Sequence, residues 1–96
     1  MKPRMTFEQH VEMGQALAAM RDELLSRHVD LANAYPLSGR EALPAKKLEA
    51  AYRAIDEARS ELENALFREH PEVAQTSVYY PAAEDRVRKP AGPRGA

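Results

Sequence analysis

The sequence predicts an all-α fold, an antiparallel two-helix hairpin that pairs into a four-helix bundle, with an extended C-terminal segment and a disordered tail. Two stretches, 7–34 and 45–69, repeat apolar residues at steps of three and four, the spacing that lays one stripe along one face of a helix. Pro36 and Pro44 divide them, leaving a connection short enough for the second helix to fold back on the first. Beyond Pro71 the helical phase is lost. The expected organisation is a helical domain over residues 1–80, with the extended segment at 72–81, and a flexible basic tail over 82–96.

The first helix has a readable start. Thr6 is a good N-cap and Gln9 stands three residues later, so Thr6-Phe7-Glu8-Gln9 reads as a capping box. Glu8 complements the positive end of the helix dipole. The stripe then runs through Met13, Leu17, Met20, Leu24, Leu31 and Tyr35, with Val11, Ala18, Leu25 and Ala32 widening it on one flank. Gly14 interrupts it at a cost of about 1 kcal/mol relative to alanine, and either permits a close helix approach or is tolerated. Pro36 disfavours helical geometry at Tyr35 and ends the helix there.

The connection from Pro36 to Leu43 is rich in turn formers, and Ser38 is placed to cap one short turn. Pro44 suits the start of the second helix, where a missing N–H costs nothing. That helix carries Leu48, Ala51, Tyr52, Ile55, Ala58, Leu62, Ala65 and Leu66 on one face, opposite Lys46, Lys47, Arg53, Glu57, Glu61 and Asn64. Large residues alternate with alanine at nearly heptad steps, which suits close antiparallel packing. Glu49 with Arg53, and Arg59 with Glu63, are expected ion pairs along the helix. His70-Pro71 ends it. Thr76-Ser77-Val78-Tyr79-Tyr80-Pro81 is then a β-branched and aromatic run between prolines, expected to lie extended across the hairpin.

A chain of 96 residues with two main helices encloses little core, because each stripe has only one neighbour to cover it. Much of the 44% hydrophobic share is alanine, and aromatics reach only 6%. Small domains of this kind recruit a disulfide, a metal or another chain. Without cysteine the first is excluded and a structural zinc site of the usual kind is not expected, so the sequence favours a second copy or a protein partner. Charge is uneven: Lys2 and Arg4 at one end, and Arg86, Arg88, Lys89 and Arg94 against Glu84 and Asp85 at the other, each contribute +2 to a total of −1, leaving −5 on the body between. An acidic body with basic ends is a poor match for a dedicated DNA reader. No secretory signal and no membrane-spanning run is visible, so a cytoplasmic address is expected.

No motif carries chemistry. His10, His28 and His70 lack metal-ligand spacing and read as surface or helix-end residues, although His10 and His70 fall at the same end of an antiparallel hairpin. Glu8 with Glu12, and Glu57 with Glu61, share a helical face but read as solvated carboxylates rather than magnesium ligands. Ser26, Ser38, Ser60 and Ser77 lack any nucleophile setting, and there is no glycine-rich phosphate loop. No catalytic residue, cofactor, metal or small-molecule substrate is expected.

The reading that follows is a non-catalytic protein–protein interaction module, a small adaptor, accessory subunit or regulator. Its composition, with arginine over lysine at 10 to 4, is common in GC-rich bacteria and their phages. The residues expected to carry interaction are Leu17, Leu24, Leu31, Tyr52, Ile55 and Leu62 on the stripes and Val78, Tyr79 and Tyr80 in the aromatic run, which either covers its own hairpin or anchors a partner. Two alternatives stand beside this: a nucleic-acid-associated dimer using Arg86, Arg88 and Lys89, and an acidic helical inhibitor occupying a basic groove of a target protein.

Overall fold

The computed structural model describes residues 3–82. Two long helices, α1 (Phe7–Ala34) and α2 (Leu43–Glu69), pack against each other, and the described residues include no strand. No helix among them is long and apolar enough to cross a membrane. Cross-helix contacts pair the start of α1 with the end of α2, and the end of α1 with the start of α2, so the hairpin is antiparallel.

Both helix ends follow from local chemistry. The Thr6 hydroxyl accepts from the Gln9 N–H at 3.0 Å, and the Gln9 side-chain carbonyl accepts from the Thr6 N–H at 2.9 Å, completing the capping box. Tyr35, ahead of Pro36, is extended at φ −133° and ψ 159°, and α1 stops before it. The connection reverses through Gly39 at φ +81°, a left-handed backbone that glycine adopts without strain, and then makes a 3-10 turn over Arg40–Ala42. Gly39 holds the N-cap position of that turn with no side-chain hydrogen bond, so Ser38 does not cap it. The turn runs straight into α2, which therefore begins at Leu43 rather than at 45. Pro44 lies in the first turn, where its missing N–H would have no helical partner anyway.

The segment after α2 differs from its expected extended course. His70 closes α2, and its carbonyl accepts from both Val73 and Ala74, giving a turn at 71–73. A 3-10 turn follows at Thr76–Val78, with only a brief extended stretch at Gln75. The physical reason lies in side-chain direction. An extended strand would point Val78 and Tyr79 to opposite faces, whereas here both are buried against the hairpin.

Burial is concentrated at the terminal end of the hairpin, where α1 starts and α2 ends. His10, Gly14, Ala18, Arg59, Leu66, Val78, Tyr79 and Pro81 are buried there, while in the connection only Ala42 is. Leu66, Val78 and Tyr79 form the core, with Phe7, Val11, Leu17, Leu62 and Ala74 packed around them. Gly14 makes this possible: a Cβ there would fall on the Val78 carbonyl and lie 3.2 Å from the Tyr79 Cα. The close approach that Gly14 permits is thus to the C-terminal segment.

The buried line on α1, His10-Gly14-Ala18, lies about a quarter turn around the helix from the stripe of Met13, Leu17, Met20 and Leu24. On α2 the stripe residues Leu48, Tyr52, Ile55, Leu62 and Leu66 are partly or fully buried, but Ala58 is exposed and Arg59 is buried. Arg59 does not make the expected pair with Glu63. The C-terminal segment draws its guanidinium inward, where Nε donates to the Tyr79 carbonyl at 2.9 Å and Nη1 to Asp56 at 3.0 Å.

Candidate functional site

A polar cluster is built on that terminal end. His10 is placed one turn into α1 by the Thr6 cap, Glu69 is the last residue of α2, His70 is its C-cap, and Tyr79 follows the second 3-10 turn. His10 is 1% exposed. Its Nδ1 lies 2.6 Å from the Tyr79 hydroxyl and its Nε2 lies 3.1 Å from Glu69 Oε1. An ionised carboxylate only accepts, so Nε2 carries a proton, and in the neutral ring Nδ1 then accepts the Tyr79 O–H. In that neutral form the bonds run as a series in one direction, from the Tyr79 hydroxyl through the His10 imidazole to the Glu69 carboxylate. The hydrogen bond from His10 holds the Glu69 carboxyl below its ordinary value, against partial desolvation and with positive charge on His10, Arg4 and His70 acting in the same direction as the bond. Burial, and then the Glu69 charge, push the Tyr79 phenol up to about 12, so it stays protonated and serves as a donor.

His70 sits against this series. Its ring meets that of His10 edge-on at a centroid distance of 5.7 Å and that of Phe7 at 6.5 Å, and its Nε2 donates to the Met5 carbonyl at 2.9 Å. That bond leaves Nδ1 as the nitrogen with a lone pair in the neutral ring. One donor atom each from His10, Glu69 and His70 lie within 4.8 Å of one another. His10 and His70 were expected at the surface or at helix ends. His10 is instead the most deeply buried histidine, because the C-terminal segment closes over it. Its partner Tyr79 lies 69 positions away, a pairing that no local pattern announces. The coincidence of His10 and His70 at one end of an antiparallel hairpin is the available signal.

A second polar group lines the seam between the helices. Asp56 receives Arg59 from its own helix, and Arg21 Nε from α1 lies 3.3 Å from both of its oxygens. Arg21 stacks over Tyr52 at 5.2 Å and Arg59 over Tyr80 at 4.4 Å. Nearer the connection, His28 Nδ1 donates to the Ala45 carbonyl at 3.0 Å, and its ring packs edge-on against Tyr52. Arg59 Nη2 is buried and has no hydrogen-bond partner.

The residues expected to mediate interaction fall into three groups. Leu17, Leu24, Leu31, Tyr52, Ile55 and Leu62 are each only partly covered. Val78 and Tyr79 are buried in the chain's own core, while Tyr80 remains partly exposed beside Arg59. Arg86, Arg88 and Lys89 lie outside the described residues, as does the expected tail apart from Ala82. Glu8, Glu12, Glu57, Glu61 and the four serines are all exposed. Comparison with known protein families, with curated proteins and with solved structures finds no match.

Proposed function

We propose that this chain is a non-catalytic protein–protein interaction module whose hairpin associates with a second copy of itself into a four-helix bundle. The observation that carries the reading is the position of the α1 stripe. Met13 and Met20 are 38% and 54% exposed, and Leu24 beside them is only partly buried, although α2 and the C-terminal segment already pack against α1. A row of large apolar side chains a quarter turn from the buried line is what a further helix would cover. Polar residues seal the seam at Arg21–Asp56 and His28–Ala45, so the hairpin keeps its own pairing while the flank stays free.

Sedimentation of the full chain at micromolar concentration tests this. A dimer that dissociates on dilution, and is lost in Leu24→Glu, is the expected result. A strictly monomeric, cooperatively folded species would overturn it and favour a different partner on the same face. An adaptor, accessory or regulatory role then follows from whatever the paired hairpins recruit.

A further inference from the structure

We infer that His10, Glu69 and His70 form a binding site for a divalent transition-metal ion of the zinc class, which fastens the terminal end of the hairpin. The donor set is two imidazoles and one carboxylate, with one donor atom from each lying within 4.8 Å of the others. In a tetrahedral zinc site, metal–ligand distances of ~2.0–2.2 Å put ligand atoms about 3.4 Å apart. The His10 Nε2 to Glu69 Oε1 separation is already 3.1 Å. Closing the site on an ion therefore asks for a side-chain adjustment on the order of 1 Å, without a new backbone course.

The surroundings supply what metal-bound histidines need. Such a ring almost always donates its other N–H to a carbonyl, carboxylate or similar acceptor, which fixes its tautomer. His70 Nε2 already donates to the Met5 carbonyl, so the lone pair on Nδ1 is the one an ion would take. For His10, binding moves the ring proton from Nε2 to Nδ1, and the Tyr79 hydroxyl oxygen accepts it across the same 2.6 Å contact, now running in the opposite direction. Glu69 is 18% exposed and His70 is partly exposed, so an ion has a way in and solvent can fill a fourth position. Two imidazoles and a carboxylate suit zinc and its neighbours better than magnesium or calcium, which prefer oxygen donors alone.

The site also lies where a metal does the most for this fold. It joins the start of α1, the end of α2 and, through Tyr79, the C-terminal segment, in a small protein without cysteine.

The test uses the full-length, tag-free chain, stripped with a chelator and titrated with zinc chloride, cobalt chloride and magnesium chloride. We expect one zinc per chain, a melting temperature that climbs with free zinc, visible d–d bands from bound cobalt, and no response to magnesium. Glu69→Gln keeps an oxygen for the His10 N–H while removing the anionic ligand, and it should abolish tight zinc binding with the apo fold intact. His70→Ala should do the same, Tyr79→Phe should weaken zinc about 10- to 100-fold, and His28→Gln, away from the cluster, should leave it unchanged. Zinc affinity in Glu69→Gln and His70→Ala equal to that of the parent chain would overturn the proposal. So would the absence of a cobalt spectrum in the parent chain itself, a result that does not depend on any variant folding.

Discussion

The two halves of the hairpin are built on opposite plans. At the terminal half, α1, α2 and the C-terminal segment converge, and side chains as large as Tyr79 and Leu66 lose all contact with solvent. At the connection half, among the described residues, the two helices meet with just the short 3-10 turn beside them. There Leu24, Leu31, Leu48 and Ile55 remain partly covered, and Tyr35, Leu37 and Leu43 are exposed. Both halves have similar apolar content, so composition does not separate them; the number of neighbours does. Two helices shield a seam, and a third element is needed to close a core. Among the described residues, the terminal half has that third element and the connection half does not.

This contrast predicts that stability in the isolated chain resides at one end. Tyr79→Ala should be the most damaging single change, about 3–5 kcal/mol, because it empties the core and leaves the buried His10 Nδ1 without its partner. Denaturant unfolding would read it, and a loss below about 1 kcal/mol would dissolve the contrast between the halves. Gly14→Ala should come next, at about 1–3 kcal/mol, since the added methyl meets backbone at Val78 rather than a side chain able to turn aside. A Gly14→Ala protein as stable as the parent would mean that the C-terminal segment is not seated on α1.

A pH series sharpens the same comparison without a mutation. The Tyr79 phenol is held at about 12 in the folded chain, against an ordinary value of 10.0. A group whose value is raised on folding stabilises fully below its unfolded value and loses that contribution as pH climbs through the folded one. Between about pH 10 and 12 the chain should therefore lose on the order of 2 kcal/mol, measured in chelator to keep any metal out of the cluster. Tyr79→Phe should flatten that limb. For Glu69 the sign is reversed: its lowered value means a contribution present at neutral pH and lost as acid titrates the carboxylate below its ordinary range. The smallest effect is expected at the open half. Leu24→Ala in dilute, monomeric protein should cost about 1 kcal/mol, in keeping with a side chain only partly removed from water. At concentrations that support the proposed dimer the cost should grow, and a value independent of concentration would count against that assembly.

How much of this was legible in the sequence also divides along the molecule. Thr6 with Gln9, Pro36 at the end of α1 and Pro44 at the start of α2 act within a few residues, and each is found as read. The covering role of Val78 and Tyr79 was one of two readings, and the structure places both in the core. The histidine cluster was not legible, because His10 is buried only by a segment some seventy residues away whose course the sequence does not dictate. Arg59 was misread for the same reason. Periodicity assigns a residue to a face of its helix, but the Tyr79 carbonyl that captures this guanidinium belongs to a different element. Gly14 was the usable clue to that docking. A lone glycine inside an otherwise strong helical pattern costs stability, and here the missing methyl makes room for the Val78 backbone.

The distances along the chain between contacting residues carry a consequence for how the fold is reached. His28 and Ala45 are 17 positions apart, whereas His10 and Tyr79 are separated by 69 and His70 reaches back 65 to the Met5 carbonyl. Closing the longer loops costs about 1 kcal/mol more chain entropy than closing the shorter one. Assembly thus has its cheapest first step beside the connection, where the finished protein is most open, and zips toward the end where it is tightest. The order of formation runs opposite to the gradient of burial, so the closed end acts as a late-setting clasp whose release would free the C-terminal segment before the helices part.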